Sequence, residues 1–167
     1  MIQQHINGSD VFNRSWQEYK LGFNDSNGNF WLGNELLHQL TKHDRYKLRF
    51  DLRQRVANSW YWAEYSTFMV TSEETKYLMR VDGHSGDWTK VFIHHDGAMF
   101  TTYDSDNDED STRNCAVTTG GGFWWKTCFY YNGVNGVNTP LSSSLKFRYK
   151  SSSSVYNLLI SRMWLTC

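Results

Sequence analysis

Residues Met99–Cys128 have the sequence MFTTYDSDNDEDSTRNCAVTTGGGFWWKTC, in which alternating acids directly precede two cysteines that enclose a segment rich in glycine and tryptophan. Carboxylate oxygens brought close together without basic neighbours suit a calcium ion, which takes about six to eight oxygen ligands. A solvated acidic loop is the alternative, because runs of like charge usually form solvated surface. The segment therefore predicts either a calcium loop or an ion-free acidic loop beside the cysteines.

The acidic run does not have the spacing of an EF-hand. If Asp104 were the first residue of such a loop, Glu109 would stand where the loop needs glycine. Cys115 would stand where the loop needs its bidentate glutamate. Any calcium loop here is of another kind.

Several motifs of the chain together resemble the fibrinogen C-terminal domain family, which includes ficolins, tachylectins, angiopoietins, tenascins and fibrinogen itself. In the segment above these are FTTYDSDND, NCA, GGGFWW and KTC, followed by VNG at 134–136. Before it stand WQEYKLGF, NGNFWLGNELLHQLT, YKLRFDL, AEYSTFMV and YLMRVDGHSGD, in the order of the family's own landmarks. The resemblance covers nearly the whole chain.

The resemblance implies an α+β fold: a central antiparallel sheet with short helices, followed by a loop-rich calcium and ligand region. With 167 residues the chain is about the length of one domain, so residues 1–167 are expected to form a single domain. The family's usual N-terminal disulfide has no cysteines here, so the N-terminal subdomain is expected to be truncated.

The resemblance also implies which residues bind calcium. Asp106 and Asp108 take the positions of the family's side-chain ligands, and the backbone ligands fall among Asp110, Ser111, Thr112 and Arg113. The acidic run stands one residue farther from Cys115 than is usual in the family, which leaves the choice among these carbonyl groups open.

A ligand pocket is implied beside the second cysteine, because family lectins hold an acetyl group there, next to a cis peptide bond that precedes this cysteine. The corresponding residues are Thr127, Cys128, Phe129 and Tyr130, with Thr119 where the family has a tyrosine. Phe129 replaces a histidine, so the standard acetyl pocket is altered. Within the run Phe129 to Tyr131, we expect at least one ring to be exposed. Phe123 and Trp124 are expected to pack in the core, whereas Trp125 could serve either the core or a binding surface.

Cys115 and Cys128 are interpreted as a disulfide that closes a short loop, which implies an oxidising compartment. Zinc is disfavoured because the cysteines lack a short Cys-x-x-Cys spacing. Cys167 is left over, which indicates either a bond to another chain, as in a homo-oligomer, or a shortened chain.

Composition excludes several partner classes. Lys plus Arg and Asp plus Glu number 17 each, with the basic residues dispersed along the sequence, so nucleic acid is not an expected partner. No apolar run approaches the length of a membrane span, and a soluble domain is expected. Sequons at Asn7, Asn13 and Asn24 favour a secreted glycoprotein.

Local patterns predict the main elements. Ser15 and Glu18 form a capping box for a short helix that ends at Gly22. A second helix is predicted from Asn34 as N-cap to Leu40, with Leu36, Leu37 and Leu40 on its apolar face. Alternation over 46–52 predicts a strand, 63–70 and 76–81 an antiparallel hairpin, and 155–165 a final strand after an exposed loop at 151–154.

An enzyme is not expected. The run His94-His95-Asp96 could suggest acid–base chemistry, but no nucleophile elbow, HExxH motif or phosphate loop is present. The sequence therefore predicts calcium-supported extracellular recognition, most simply a lectin for acetylated glycans in innate immunity. The alternative is a protein-binding module of the angiopoietin or tenascin type, which would engage a receptor or matrix protein through the same loops.

Overall fold

The computed structural model describes residues 1–6, 11–43, 46–88, 90–128, 134–136, 148–150 and 155–167. Within these residues the strands are β1 (Gln3–His5), β2 (Phe23–Asn24), β3 (Phe30–Trp31), β4 (Lys47–Gln54), β5 (Trp60–Val70), β6 (Met79–Gly86), β7 (Phe100–Thr101), β8 (Phe123–Trp124), β9 (Arg148–Lys150) and β10 (Val155–Thr166). The α-helices are α1 (Trp16–Leu21), α2 (Asn34–Thr41) and α3 (Cys115–Thr119), and 3-10 turns cover Glu73–Thr75 and Lys90–His95.

The large sheet is antiparallel throughout its described pairings and has the strand order β2-β3-β1-β10-β4-β5-β6, with β9 also paired to β10. A separate pair, β7 and β8, flanks the acidic segment on its two sides in the sequence. The central antiparallel sheet with few short helices confirms the predicted α+β fold. No helix in the described ranges is both long and apolar enough to cross a bilayer.

Period-two alternation sets the inner face of the sheet, as the sequence predicts. In β4, Leu48, Phe50 and Leu52 are buried, whereas Arg49 and Asp51 between them stay partly exposed. The predicted hairpin is confirmed as β5 and β6, and the predicted final strand is confirmed as β10. The loop expected at 151–154 lies outside the described residues.

Helix α1 begins and ends where the sequence predicts. The Ser15 hydroxyl accepts the backbone N–H of Glu18, and the Glu18 carboxylate accepts the backbone N–H of Ser15 over 2.9 Å. Gly22 follows the helix with φ of 89°, and a Cβ there would lie 2.6 Å from the backbone oxygen of Leu32. The close approach of two chain segments therefore requires glycine at this position.

The start of α2 differs from the prediction. Asn34 is already the first helical residue, and Gly33 occupies the N-cap position with φ of 108°. The Asn34 side chain is buried, and its Oδ1 accepts the indole N–H of Trp31 over 3.2 Å. The prediction that Asn34 caps the helix is therefore wrong, because its side-chain oxygen accepts the indole N–H of Trp31, three residues earlier.

The buried face of α2 is also narrower than predicted. Leu37 is buried, but Leu36 and Leu40 are 46% and 37% exposed. The buried stripe runs instead through Leu37 and Thr41, four residues apart on one face of the helix. Thr41 accepts the backbone N–H of Val70 over 2.9 Å, which fixes α2 against β5.

Candidate functional site

The predicted disulfide between Cys115 and Cys128 is formed, and both cysteines are buried. Cys115 is the first residue of α3, and the side chain of Asn114 caps this helix by accepting the backbone N–H of Val117 over 3.0 Å. Cys167 is an exposed free thiol. The disulfide thus joins a capped helix to the segment that follows β8.

Asp108 connects the acidic segment to this disulfide. Its Oδ2 accepts the backbone N–H of Cys115 over 2.8 Å, and its Oδ1 accepts the backbone N–H of Asp110 over 2.8 Å. A carboxylate offers about four lone-pair sites, so both oxygens retain capacity for a further ligand. The side chain therefore forms a structural bridge and still presents oxygen atoms to a cation.

Burial raises the pKa of Asp108, and the negative charge of neighbouring Asp106 raises it further, against the opposing effect of the N–H groups of Cys115 and Asp110. Asp106 itself is exposed. Two adjacent carboxylates resist joint ionisation, and a bound cation relieves this repulsion.

Two further aspartates of the run have partners within the protein. Asp104 accepts the backbone N–H of Trp16 over 2.9 Å at the start of α1, and the Thr102 hydroxyl over 2.7 Å. Asp110 is paired with Arg113 over 2.6 Å, which lowers its pKa to about 2. The structure thus separates two structural acids from Asp106 and Asp108.

Segment 110–113 lies beside these carboxylates as a tight turn. The Asp110 carbonyl accepts the backbone N–H of Arg113 over 3.4 Å, and the Thr112 hydroxyl donates to the Asp110 carboxylate over 2.7 Å. Ser111 and Thr112 are exposed. The side-chain atoms that Asp106 and Asp108 offer are oxygen atoms, the ligand type that a hard cation such as calcium takes.

A softer metal does not fit this position. One carboxylate oxygen of Asp108 and the sulfur atoms of Cys115 and Cys128 lie within 4.8 Å of one another. The two sulfur atoms are bonded to each other and so provide no thiolate ligand. The cluster therefore matches zinc poorly, as the spacing of the cysteines predicted.

A second hydrogen bond joins the acidic segment to the expected ligand region. The backbone N–H of Glu109 donates to the carbonyl of Lys126 over 2.6 Å, immediately before Thr127 and Cys128. Thr127 is partly exposed. The described residues contain no cis peptide bond, so the Thr127–Cys128 bond is trans, in contrast to the cis bond that the resemblance implied. Phe129, Tyr130 and Tyr131 lie outside the described residues.

The aromatic run before Cys128 belongs to the core. Phe123, Trp124 and Trp125 are all buried, which confirms the prediction for the first two and decides the open case of Trp125. The Trp125 indole donates to the carbonyl of Gly121 over 3.1 Å, and that of Trp124 donates to the carbonyl of Tyr77 over 2.8 Å. These rings anchor the disulfide segment from below.

Thr119 lies beneath the surface at the end of α3. It is buried, and its hydroxyl donates to the carbonyl of Cys115 over 2.7 Å. The structure thus brings Thr119 close to the disulfide but directs its hydroxyl to the backbone of its own helix.

Three polar residues that sequence reasoning missed hold this region. Asn107 donates its side-chain N–H to the carbonyl of Phe100 over 2.9 Å, which fastens the acidic segment to β7. Asn135 donates to the carbonyl of Gly122 over 2.9 Å, and Tyr19 accepts the backbone N–H of Gly122 over 3.0 Å. Their partners are distant backbone groups, so no local pattern could identify them, although asparagine within an acidic run is a candidate for backbone hydrogen bonding.

The run His94-His95-Asp96 has structural roles. His95 is buried, and its Nδ1 lies 2.7 Å from the carbonyl of Trp124, an arrangement in which Nδ1 carries the proton. Burial lowers the pKa of His95 to about 4. Asp96 accepts the backbone N–H of Val81 over 2.9 Å. These contacts hold the turn after β6 against β8.

The family is decided by the sequence profile described as "Fibrinogen beta and gamma chains, C-terminal globular domain", which matches residues 1–152. The chain belongs to this fibrinogen C-terminal domain family. Related domains occur in tenascin of Gallus gallus, at 41% identity over 75% of this chain and 7% of the relative, and in Techylectin-5A of Tachypleus tridentatus, at 38% identity over 78% of this chain and 44% of the relative. The chain thus spans less than half the length of these curated relatives.

A solved member of the fibrinogen C-terminal domain family has the same fold. The fibrinogen-like globe domain of human ANGPTL2 superposes with a TM-score of 0.84 at 32% identity, over 99% of this chain and 78% of that one. The relatives of this chain include both lectins and proteins of the angiopoietin and tenascin groups. The family consists of non-enzymatic recognition domains.

Two of the three sequons are described in the structure. Asn13 and Asn24 are both exposed, as glycan attachment requires. The Ser15 hydroxyl of the first described sequon also forms part of the capping box of α1. The sequon at Asn7 lies outside the described residues.

Proposed function

We propose that this fibrinogen-related domain is a calcium-supported, non-catalytic recognition module that acts outside the cell, and that it is a lectin for acetylated glycans in innate immunity. The relative Techylectin-5A, a lectin by name, supports this assignment. The disulfide and the exposed sequon residues Asn13 and Asn24 support an extracellular location. The free thiol of Cys167 is available for a bond within a homo-oligomer.

The observation that carries the proposal is the bridge from Asp108 to Cys115. Asp106 and Asp108, with carbonyl groups among Asp110 to Arg113, would hold the ion, and calcium would supply the positive charge that neutralises the two carboxylates. The Asp108 carboxylate, kept ionised, then accepts the N–H of Cys115 at full strength, since hydrogen bonds to charged groups are the stronger ones.

The calcium-bound acidic segment would also order the ligand region. Because the N–H of Glu109 donates to the carbonyl of Lys126, the position of Thr127 and Cys128 depends on that segment. In this proposal Thr127, Cys128, Phe129 and Tyr130 contact the acetyl group and the sugar. Thr119 supports the pocket from beneath through its bond to the Cys115 carbonyl.

The decisive experiment is calorimetric titration of N-acetylglucosamine into the domain, once in calcium and once in EDTA. The calcium concentration should be about 5 mM, because the calcium sites of extracellular modules are weak. Saturable heat in calcium that is lost in EDTA is expected. A variant that changes Asp106 to Asn should behave in calcium as the wild type does in EDTA. Equal affinity in both buffers would refute the coupling between ion and ligand.

A second candidate function is a protein-binding module of the angiopoietin or tenascin type. The observation that favours it concerns Thr119, which stands where the family has a tyrosine. Thr119 is buried, so this position presents no hydroxyl group to a sugar. If no acetylated sugar on a glycan array binds, while the immobilised domain retains one defined receptor or matrix protein in calcium, this second function replaces the first.

A further inference from the structure

The outward face of the large sheet carries arginine and tryptophan side chains that are far apart in the sequence. We call it the arginine–tryptophan face, defined by Arg49, Asp51, Arg53, Trp60, Trp62 and Arg162. It lies on β4, β5 and β10, on the side of β4 opposite its buried leucines. It shares no residue with the acidic segment or the disulfide region.

The strand register explains why these residues meet. Arg53 pairs directly with Trp60, and Asp51 pairs with Trp62 on one side and with Arg162 on the other. Residues paired across antiparallel strands point to the same face, with Cβ atoms about 5 Å apart. Basic residues that are dispersed in the sequence are therefore gathered by the sheet into one surface.

Cation–π contacts with the indole rings position the arginines. The guanidinium carbon of Arg49 lies 4.8 Å from the ring centre of Trp62, and those of Arg53 and Arg162 lie 5.8 and 5.4 Å from that of Trp60. These cation–π contacts hold the guanidinium groups beside the indole rings, where their charge can attract an anionic group.

The face has an excess of positive charge. Arg49 is paired with Asp51 over 2.9 Å, but Arg53 and Arg162 form no ion pair with any residue that the structure describes. The Nε of Arg53 is buried and has no hydrogen-bond partner among the described residues. The Nε of Arg162 donates to the neutral side chain of Gln4 over 2.9 Å. The positive charge of Arg53 and Arg162 is therefore left without a carboxylate partner among the described residues.

A small cleft on this face is lined by Arg49, Asp51, Trp60, Tyr61, Trp62 and Arg162, and Arg53 lies outside it. Its volume is about 260 Å³, with Trp60 at its rim 45% exposed. Pockets for drug-sized ligands span about 300–1,000 Å³. The cleft therefore suits a single anionic group or sugar unit of a longer chain.

We propose that the arginine–tryptophan face binds an anionic polysaccharide through its sulfate or carboxylate groups, with Arg53 and Arg162 as the principal contacts. A peptide strand fits less well, because β4 and β5 are paired on both edges and offer no backbone groups for strand addition. A single-stranded nucleic acid also fits less well, because guanidinium groups already lie over the indole faces on which bases would stack.

The test measures binding of heparin to the whole domain in EDTA, by surface plasmon resonance, with hyaluronan, polyglutamate and a single-stranded oligonucleotide as competitors. The double variant Arg53→Gln and Arg162→Gln should weaken heparin binding at least about fivefold, because two charge-assisted contacts are lost. The affinity should also fall as salt increases. Displacement by hyaluronan would assign the contact to carboxylates, and its failure would assign it to sulfates.

Arg80→Gln is the matched control, because Arg80 is an exposed arginine on β6 outside the face. It should change heparin affinity by less than about twofold, since it removes charge and the ion pair with Asp96 but no contact with the proposed ligand. Equal losses for the control and the double variant would reduce the interaction to overall charge and overturn the proposal. Absence of heparin binding, or tighter binding of polyglutamate or the oligonucleotide, would overturn it as well. The use of EDTA keeps this result separate from that of the calcium-dependent site.

Discussion

The carboxylate of Asp108 accepts the backbone N–H of Cys115 over 2.8 Å, and through this bond the acidic segment and the disulfide form one unit. The same carboxylate has a raised pKa because it is partly buried and lies next to Asp106. A single side chain thus carries both a structural contact and an electrostatic cost. Substitutions at Asp106 and Asp108 can therefore separate the proposed calcium binding from the structural contact with Cys115.

Replacing Asp106 with Asn should abolish calcium binding and leave the calcium-free domain intact. Asp106 is exposed and contributes mainly negative charge. In wild type, millimolar calcium should add about 1–2 kcal/mol of stability, from mass action at a weak extracellular site. Thermal unfolding with and without calcium measures the difference. A full calcium-induced rise in Tm in the Asp106→Asn variant would exclude this residue as a ligand.

Replacing Asp108 with Asn should lower stability even in EDTA. Asparagine offers one acceptor oxygen in place of two, so one of the N–H groups of Cys115 and Asp110 loses its partner. The expected loss is about 1–2 kcal/mol in urea unfolding. The Asp106→Asn variant, which keeps both bonds, is the matched control. Equal stability of the two variants in EDTA would contradict the structural role of Asp108.

Removing the disulfide should weaken both stability and calcium binding. Cys115 and Cys128 are 13 residues apart, and closing a loop of this size stabilises by about 3 kcal/mol on the chain-entropy estimate. The double change to serine should lower the free energy of unfolding by this amount. Reduction of the wild type should reproduce the effect. Calcium titrations on both should show reduced affinity, because Asp108 is positioned by the N–H of Cys115.

The fold could be predicted from the sequence where the signal was local. The capping box of Ser15 and Glu18 and the alternation along β4 depend on neighbouring residues, and both are confirmed. The helix start at Asn34 was missed because its side chain serves Trp31 rather than the helix end. A capping signal in the sequence does not reveal a competing side-chain donor, even one that lies three residues away.

The candidate site could be predicted only in part. The disulfide followed from two cysteines and a family resemblance, and it is confirmed. The role of Asp104 could not be predicted from the sequence, since its partner Trp16 is brought to it only by folding, whereas Arg113, the partner of Asp110, lies three residues away. The same applies to the arginine–tryptophan face, whose members come together through strand register.

Acid should destabilise the domain through His95. Its pKa in the folded state is about 4, below its ordinary value of 6.5, so the unfolded chain binds the proton more readily. The contribution of neutral His95 is complete above about pH 6.5 and is lost as the pH falls through 4, with an upper size of about 3 kcal/mol. Unfolding of wild type and of a His95→Asn variant between pH 4 and 7 should differ in slope. Asparagine keeps a donor for the Trp124 carbonyl, so parallel slopes would exclude His95 as the source.

Replacing Gly121 with Ala should disrupt the site from beneath. A Cβ on Gly121 would lie inside van der Waals contact of the Asn135 carbonyl oxygen, and this neighbour is backbone that cannot rotate away. The expected loss of stability is about 2–3 kcal/mol, typical of overpacking in a tight core. Displacing Asn135 would also break its bond to the Gly122 carbonyl, so calcium-dependent ligand binding should weaken as well. Gly28→Ala is the matched control, because its new Cβ would meet only side-chain atoms, of Ile6 at 3.3 Å and of Gln4 at 3.6 Å, and its positive φ should cost about 1 kcal/mol. If urea unfolding gave the two variants the same stability, the contact between Gly121 and Asn135 would not be the constraint that holds the disulfide segment in place.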